Sequence, residues 1–490
     1  MSHGATVLNT AALPALRGRL PVPEYDRRRA SAGVVHIGVG GFHRAHQAVY
    51  HDRMMAEHDA LEWGICGVGV MPQDRRMRDV LTAQDGLYTL IIKHPDGRYE
   101  PRVVGSVLEH LFAPDDPERV VQRLASETTR IVSLTLTEGG YSVDDDSRAF
   151  DASRADIARD LVPGAPPQTA FALVTEALAR RRQRGIGPFA VVSCDNLVDN
   201  GDIARTAFSG FGRLRDPDQG DWIAEAVAFP NSVVDRITPA TTGANRDELR
   251  RRIGLEDGWP VVCEPFIQWV LEDVIPGPRP PYEAVGAQVL ADVRPFGQMK
   301  LRLVNAGHQA VAYFGALLGY RLVDEAVRDP LMRNFLTAYL QDEAVGTVRG
   351  VPPAQLEAFA AAVPERFSNA GISDTLARLA VDASDRIPTF VLPVIRSQLE
   401  RDGPIQRATA IVAAWARCLA SPEPPLEMAD PRLDDLLDRA RRDDGDPGHF
   451  IGYEPVFGRL AHDDRFTSVY RAQHAALRLQ GVRAMMASLS

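Results

Sequence analysis

The chain has 490 residues, of which 45% are hydrophobic and 24% charged, and its formal net charge at pH 7 is −10. This is the composition of an ordinary globular protein with two domains, and its acidic balance argues against a nucleic-acid partner, because no basic stripe is present to face a phosphate backbone. The four cysteines lack metal-ligand spacing and no apolar run reaches the length of a membrane span, so we expect no disulfide framework, no zinc site, no membrane partner and a cytoplasmic location.

The first predicted element with a chemical signature is a short apolar strand at 34–37 that runs into a glycine-rich turn and an amphipathic helix. Such a unit binds dinucleotides, because glycines admit the pyrophosphate close to the backbone and the helix supplies free N–H groups. The spacing departs from a strict GxGxxG pattern at His43, so a tight turn without a ligand is the alternative. The candidate cofactor contacts of this turn are Gly38, Gly40, Gly41 and Phe42.

A second strand, predicted at 63–70, ends close to Asp74. In dinucleotide-binding domains an acidic side chain after the second strand binds the ribose hydroxyls of NAD, so Asp74 is the candidate for that role. Arg75 and Arg76 follow it and offer positive charge to the 2′-phosphate of NADP, so NAD is preferred and NADP is the alternative. Asp74 is also suited to cap the helix predicted after it.

Two later strands end in polar residues, where an open α/β sheet binds its ligands. The strand predicted at 131–137 ends in Thr137 and Glu138, which are candidate cofactor contacts. The strand predicted at 189–194 leads to Asn196, a candidate site residue for the same reason. Helix capping is the alternative explanation for Asn and Asp residues in this stretch.

Extended segments alternate with turns through the remainder of the first half. Residues 87–108 predict a hairpin with Lys93 exposed at its turn. Further strands are predicted at 229–239 and 261–273. Residues 275–283 are rich in proline and mark the predicted junction, after which helical periodicity dominates. We therefore predict an α/β fold with a Rossmann-type NAD(P)-binding domain at 1–285 and a mostly α-helical substrate and catalytic domain at 286–490.

Residues 299–319 contain no proline and predict a helix of about five or six turns. At about 100° per residue, Lys300, Asn305 and His308 fall on one polar arc, and apolar residues occupy the opposite arc. Lys300 is one of two lysines in a chain with 55 lysines and arginines, and lysine, unlike arginine, gives up its proton when partly buried. The segment predicts a site that needs a titratable amine; a surface lysine on an amphipathic helix is the alternative.

Seven short motifs occur in a fixed order along the chain. They are GVGGFHRAHQ at 38–47, TEGGY at 137–141, SCDN at 193–196, FPNSVVDRITP at 229–239, KLRLVNAGH at 300–308, SNAGISDTLARL at 368–379 and RIPTFVLP at 386–393. Each motif alone is weak, but the combination is specific. Over nearly the whole chain it closely resembles the polyol-specific long-chain dehydrogenases, the mannitol dehydrogenase family.

The resemblance implies a metal-independent, NAD(P)-dependent interconversion of a polyol and its 2-ketose. Mannitol and fructose are the first expectation, with arabinitol and sorbitol as alternative polyols. The family pattern implies Lys300 as catalytic base, Asn196 and Asn305 on the reacting oxygen and His308 on the substrate. It also implies substrate contacts from Asp235, Arg378 and Arg386. An amine serves as base when burial and neighbouring cations lower its pKa from ~10.4 toward 7–8.

Two positions depart from the family pattern: Arg386 stands where lysine is common, and Gln73, beside Asp74, stands where glutamate is common. A guanidinium differs from an ammonium in reach and hydrogen-bond geometry, and Arg378 with Arg386 would suit a carboxylate. Reduction of a hexuronate such as fructuronate is therefore one alternative. A non-catalytic dinucleotide sensor and a zinc-dependent polyol dehydrogenase are the others. We expect a monomer or weak homo-oligomer.

Overall fold

The computed structural model describes residues 5–144, 149–423, 425–443 and 447–489. The chain divides into two compact units, one comprising 1–93 and 99–294 and the other 94–98 and 295–490. Every strand of the described chain belongs to the first unit, and the second is built from helices. The predicted α/β class with a mostly helical C-terminal part is confirmed.

The strands of the described chain are short and form four sheets. In chain order they are β1 (Thr6–Val7), β2 (Val34–Ile37), β3 (Ile65–Gly69), β4 (Tyr88–Lys93), β5 (Tyr99–Val104), β6 (Val107–Phe112), β7 (Ile131–Leu134), β8 (Ala190–Ser193), β9 (Ser232–Asp235), β10 (Leu255–Glu256), β11 (Val261–Cys263), β12 (Gln268–Glu272) and β13 (Gln288–Leu290). The largest sheet has the order β6-β3-β2-β7-β8 and is parallel throughout. The smaller sheets are β11-β4-β5, β13-β12-β9 and β1-β10.

The parallel sheet is doubly wound around β2. The chain adds β3 and β6 on one side of β2 and then returns to add β7 and β8 on the other, so the topological switch lies between β2 and β7. Both faces are buried: Val34 packs into one core, and Val35 and Ile37 pack into the other. This explains why these strands are continuous apolar runs without alternation. Ligands bind such sheets at the carboxyl ends of the strands beside the switch.

The structure confirms the predicted hairpin and differs from two other predictions. Residues 87–108 contain the hairpin β4–β5, and their last residues begin β6, which joins the parallel sheet beside β3. Residues 261–273 form two strands in different sheets. Lys93 was expected to be exposed, but its side chain is 16% exposed and its Nζ lies 2.8 Å from a Glu248 carboxylate oxygen. A short apolar run does not specify its sheet partner, because that partner comes from a distant part of the chain.

Helices cover the parallel sheet and build the second unit. Those of the first unit are α1 (Leu13–Leu16), α2 (Gly41–Ala45), α3 (Gln47–Glu57), α4 (Arg75–Ala83), α5 (Pro117–Leu124), α6 (Ala155–Asp160), α7 (Ala170–Gln183), α8 (Asn200–Arg215), α9 (Pro217–Ala226) and α10 (Gly243–Ile253). Next come α11 (Arg294–Met299), α12 (Ala306–Leu317), α13 (Val323–Arg328), α14 (Pro330–Ala338), α15 (Pro353–Phe367), α16 (Leu376–Leu379), α17 (Ala383–Phe390), α18 (Leu392–Glu400), α19 (Gln406–Ala420), α20 (Leu433–Arg442), α21 (Glu454–Phe457), α22 (Asp464–Leu479) and α23 (Val482–Leu489).

The helix α12 lies in the core of the second unit. Its residues from Ala306 to Ala316 are buried except His308, so the helix is enclosed on nearly all sides and not along one apolar arc as predicted. α14, α16 and α19 pack around it. A β carbon on Gly307 would lie 3.2 Å from Leu336 Cδ1, so the close packing of α12 at this point favours glycine.

Candidate active site

The glycine turn after β2 leaves room for a ligand against its backbone. Gly38 has a φ of +96°, and a β carbon there would lie 2.2 Å from the carbonyl oxygen of Thr135, so only glycine fits. A β carbon on Gly40 would approach the Gly38 carbonyl at 3.8 Å, and one on Gly41 would meet described atoms no closer than 3.8 Å. The turn is therefore an open cradle at the topological switch, and it fits the pyrophosphate of a dinucleotide.

Buried polar groups hold the segment that follows the turn. The rings of Phe42 and His46 are stacked, with 5.0 Å between centroids, and His46 Nε2 lies 2.7 Å from the carbonyl oxygen of Gln268 in β12. Arg236 donates from Nη1 to the carbonyl of Ala45 at 2.7 Å. These contacts fix α2 to the sheet of β9 and β12.

Asp74 follows β3, as predicted, but its carboxylate does not cap α4. Its Oδ2 accepts hydrogen bonds from the backbone N–H groups of Val70, at 3.0 Å, and Met71, at 2.9 Å. The carboxylate therefore closes the turn that ends β3. This is the position from which an acidic side chain reaches the ribose of a dinucleotide.

The two arginines after Asp74 have protein partners. Arg75 donates to the carboxylate of Asp115 at 2.8 Å. The guanidinium of Arg76 lies over the ring of Trp259, 4.6 Å from its centroid. Both groups are already engaged, which reduces their availability to a 2′-phosphate.

Thr137 has a strained backbone at the end of the segment that follows β7. Its φ of +68° and ψ of 165° lie in a region that residues with a β carbon avoid. The carboxylate of Asp195 accepts the N–H groups of Leu136, at 3.0 Å, and Thr137, at 2.9 Å, and the hydroxyl of Tyr141 at 2.6 Å. Glu138 begins a short 3₁₀ turn that ends at Tyr141. Asp195 therefore holds the whole Thr137 loop in place.

Asn196 lies in the bend after β8 and is half-buried. Because β7 and β8 pair in parallel with Leu134 opposite Ser193, Asn196 and Thr137 follow neighbouring strands at the same edge of the sheet. Asp195 connects the two loops, and sequence reasoning missed it. The available signal was a carboxylate at the end of a buried strand, directly before the selected asparagine.

Asp235 is the last residue of β9 and is buried. β9 lies outside the parallel sheet, and Asp235 is paired in antiparallel register with Gln268 of β12. A carboxylate at the end of a strand is a strong acceptor for hydroxyl groups. The next residue, Arg236, also donates from Nε to the carbonyl of Glu264 at 3.0 Å, which fixes the strand's end.

The segment between α11 and α12 is a π-helix, Lys300–Asn305, and not the α-helix that was predicted. In a π-helix each N–H donates to the carbonyl five residues earlier, as Ala306 does to Leu301. The helical wheel assumed 3.6 residues per turn, so its angles do not apply here. The wider turn depends on tertiary packing, which the pattern of residues along the helix does not reveal.

This π-helical turn sets the backbone register of three predicted catalytic residues. Lys300 and Asn305 are five residues apart and so lie one π-turn above each other, and His308 follows Asn305 by three residues on the adjoining α-helix. All three are partly exposed, whereas most of their neighbours are buried. Asn305 Oδ1 is a buried atom with no hydrogen-bond partner in the described structure. A buried polar atom without a protein partner is available to accept a hydrogen bond from a ligand.

The surroundings of His308 disfavour its protonated form. Its ring stacks on Phe367 with 4.0 Å between centroids, and its Nε2 has no hydrogen-bond partner among the described residues. The pKa of His308 lies well below its ordinary value, because burial disfavours the cation and the charges of Arg378, Lys300 and Arg386 oppose protonation. A neutral imidazole with a free ring nitrogen suits a hydrogen bond to a hydroxyl group.

The two predicted substrate-binding arginines are tied to each other and to α12. Arg378 donates from Nε, at 2.6 Å, and from Nη2 to the carboxylate of the buried Asp374. Arg386 donates from Nη1 to the carbonyls of Arg378 and Leu379, at 3.2 and 3.1 Å. The Leu379 carbonyl also accepts the side-chain amide of Gln309 at 3.0 Å. Asp374 is a second residue of the candidate site that sequence reasoning missed.

Within the described ranges, no three His, Cys, Asp or Glu side chains gather closely enough to hold a metal ion. All four cysteines are buried free thiols. None of the helices described here combines the length and the apolar character needed to cross a lipid bilayer.

Two family models match the sequence. The model of the mannitol dehydrogenase Rossmann domain matches residues 32–284, and that of the mannitol dehydrogenase C-terminal domain matches 292–478. Together the two matches span most of the chain.

Relatives named mannitol 2-dehydrogenase match over nearly their full length. The mannitol 2-dehydrogenase of Pyricularia oryzae is 40% identical over 474 residues, covering 95% of this chain and 94% of that protein. The mannitol 2-dehydrogenase of Aspergillus fumigatus is 41% identical over 469 residues, covering 94% and 93%. Among solved structures, Pseudomonas fluorescens mannitol 2-dehydrogenase in ternary complex with NAD and D-mannitol has a TM-score of 0.89 and 39% identity, with 99% of both chains covered. A D-sorbitol dehydrogenase in substrate-free form has a TM-score of 0.90 and 34% identity, with 98% and 100% covered.

Proposed function

Because the chain belongs to the mannitol dehydrogenase family, we propose that it interconverts mannitol and fructose with NAD as cofactor and without a metal ion. At the level of reaction class, it is an NAD-dependent polyol dehydrogenase. The observation that supports the proposal is the π-helical register of Lys300–Asn305, with His308 three residues further along on α12. An amine, an amide and a neutral imidazole on one face are the groups that oxidation of a secondary alcohol needs.

The residues of the first unit fit NAD. The open turn at Gly38, Gly40 and Gly41 would hold the pyrophosphate, with Phe42 beside it, and Asp74 would bind the ribose hydroxyls. Further cofactor contacts would come from the loop of Thr137 and Glu138. NAD, when bound, supplies the hydride acceptor. The engagement of Arg75 with Asp115 and of Arg76 with Trp259 supports NAD over NADP.

Lys300 acts as the general base in the oxidation. Its amine takes the proton of the reacting hydroxyl and returns it in the reduction. Negative charge builds on the oxygen during this transfer, and the amide N–H groups of Asn196 and Asn305 stabilise it. The orphaned Oδ1 of Asn305 supports a ligand at this side chain.

The remaining polar residues hold the other hydroxyls of the substrate. His308 accepts or donates through its free Nε2, and Asp235 accepts. Arg378 and Arg386 donate. Together they determine which carbon presents its hydrogen for transfer.

Replacing Lys300 tests the base. Lys300→Ala is expected to lower kcat for mannitol by about 100-fold or more, because general-base catalysis typically contributes 10²–10⁴-fold. NADH affinity, measured by fluorescence titration, should change by less than about twofold. Lys93→Ala is the matched control, because it removes the other lysine, which pairs with Glu248 in the first unit. Near-normal turnover of Lys300→Ala would refute the assignment.

Replacing Asn305 tests stabilisation of the oxygen. Asn305→Ala is expected to lower kcat about 100-fold with little change in KM, because the lost N–H acts mainly on charge that develops in the transition state. Steady-state kinetics with mannitol and with fructose measure both constants. A raised KM with unchanged kcat would contradict the role.

A substrate panel separates the alternatives. Mannitol, arabinitol, sorbitol and mannonate are compared as hydride donors with NAD and NADP, with and without EDTA. The pairing of Arg378 with Asp374 favours a neutral polyol over a carboxylate, since the guanidinium already has an anionic partner. Preference for mannonate would establish the hexuronate reductase instead, loss of activity in EDTA would establish a metal-dependent enzyme, and no turnover at all would leave a dinucleotide sensor.

A further inference from the structure

The π-helical turn takes away the usual partner of one backbone carbonyl. In an α-helix the N–H of Ala306 would bond to the carbonyl of Arg302, four residues earlier. Here that N–H donates to the carbonyls of Leu301 and Leu303. The hydroxyl of Tyr339 donates to the Arg302 carbonyl at 3.0 Å. A side chain from a different helix thus donates to a carbonyl that the altered register has released from its α-helical partner.

Tyr339 is well fixed for this task. It is fully buried, and it begins a second π-helical segment, Tyr339–Ala344. In that segment the carboxylate of Glu343 accepts the N–H groups of Arg407 and Ala408, at 2.7 and 2.8 Å, at the start of α19. α19 packs along α12. The segment that carries the phenol is therefore held at the start of α19, and α19 packs along α12, the helix that continues the π-helical turn.

We propose that Tyr339 is a positioning residue of the active site: its hydroxyl stabilises the π-helical register that places Lys300 and Asn305 on one face. The inference rests on the function proposed for these two residues. In a continuous α-helix, residues five apart are separated by about 140° around the axis. The amine and the amide would then lie at the two edges of the polar arc, farther apart around the axis than in the π-helical register. Tyr339 touches neither substrate nor cofactor in this scheme and acts through the backbone.

Removing the hydroxyl alone tests the proposal. Tyr339→Phe keeps the ring, and kcat is expected to fall about 10- to 100-fold, because misplacement by about 1 Å typically costs this much. NADH affinity should change by less than about twofold, since the cofactor residues are untouched. Tyr470→Phe is the matched control: Tyr470 is also fully buried in the second unit, and its hydroxyl lies 2.5 Å from the carboxylate of Asp443. Its kcat should stay within about twofold of the parent.

Rescue by a donor separates positioning from simple loss of stability. 4-Aminophenylalanine at position 339 keeps an N–H near the carbonyl of Arg302 and is expected to restore most of kcat. 4-Methoxyphenylalanine has no hydrogen to donate and should stay as slow as Tyr339→Phe. Thermal unfolding of each variant checks that the fraction folded is equal. These two variants keep the test decisive even if Tyr339→Phe folds poorly.

Combining Tyr339→Phe with Asn305→Ala tests whether Tyr339 affects catalysis through the backbone register of Asn305. If Tyr339 acts through the register, the double variant loses less activity than the product of the two single losses. A multiplicative loss, an unchanged kcat in Tyr339→Phe, or an equal loss in Tyr470→Phe would each overturn the inference. These results would refute the role of Tyr339 only. Failure of the proposed function would show differently, as retained turnover in Lys300→Ala.

Discussion

The pair of Asp374 and Arg378 shows how one buried carboxylate changes what a guanidinium can bind. The side chain of Asp374 is 6% exposed and that of Arg378 is 50% exposed, so one partner is fixed in the protein and the other reaches solvent. The pair carries no net charge. It is therefore suited to donate hydrogen bonds to hydroxyl groups without attracting an anion, which agrees with a polyol substrate.

We predict that Asp374→Asn weakens substrate binding more than it slows turnover. Loss of the carboxylate frees Arg378 to move, so KM for mannitol should rise about tenfold, since hydrogen bonds to charged groups contribute ~1.5–3 kcal/mol. Steady-state kinetics measure the change. Asp324→Asn is the control, because Asp324 is also buried and pairs with Arg328 four residues later, at 3.2 Å. An unchanged KM, or an equal rise in the control, would show that Asp374 does not position Arg378.

At the scale of elements, the ends of β7 and β8 act as one structure. Asp195, after β8, accepts two backbone N–H groups from the loop after β7 and the hydroxyl of Tyr141. The unfavourable backbone conformation of Thr137 costs about 1–3 kcal/mol, and it persists because these hydrogen bonds hold the loop in place. Parallel pairing brings the two loops together at the edge where cofactors bind.

We predict that Asp195→Asn raises KM for NAD by about tenfold, because an amide replaces one acceptor oxygen with a donor and costs ~1–3 kcal/mol. Affinity for NADH, measured by calorimetry, should fall in parallel, with kcat less affected. Asp160→Asn is the control: Asp160 is a buried carboxylate that accepts the N–H groups of Gln168, at 3.1 Å, and Thr169, at 2.7 Å. Normal NAD affinity in Asp195→Asn would argue that the loop does not contact the cofactor.

At the scale of the molecule, the first unit encloses several neutral histidines around its glycine turn. The rings of His36 and His43 stack with 3.4 Å between centroids. Burial lowers the pKa of His36 to about 3 and that of His51 to about 4. Folded protein thus binds fewer protons than unfolded protein as the pH falls below the ordinary histidine pKa of ~6.5. The contribution of these histidines to the free energy of unfolding is complete above pH ~6.5 and is lost as the pH falls toward their pKa values in the folded protein.

We predict a melting temperature that falls from pH 7 to pH 4, and a flatter fall in His51→Asn. His51 Nδ1 lies 2.7 Å from the carbonyl of Trp63, and an asparagine amide can replace that donor without titrating. Since one pKa unit corresponds to ~1.4 kcal/mol, His51 accounts for up to ~3 kcal/mol of the difference. Thermal unfolding across this pH range measures it. Parallel curves for the two proteins would contradict the assignment.

Much of this protein was determined by its sequence alone. Contiguous motifs identified the family, the α/β class, the glycine turn and the polar strand ends. Each of these is a local pattern, in which neighbouring residues determine both the backbone conformation and the functional groups present. Lys300, Asn305 and His308 were selected in the same way, from residue type and spacing. Their roles, the exact domain boundary, the cytoplasmic location and the monomeric or weakly oligomeric state stay predictions.

Tertiary structure decided what depends on contacts between distant segments. The wider turn at Lys300 follows from its packing, and its support, Tyr339, is 37 residues away from Arg302. Asp195 is 58 residues away from Thr137, whose loop it holds. Periodicity assumes an undisturbed helix, and a strand's pattern does not name its partner, so neither predicts such contacts. The sequence alone therefore selected the candidate reacting groups, and contacts between remote segments set the backbone on which they stand.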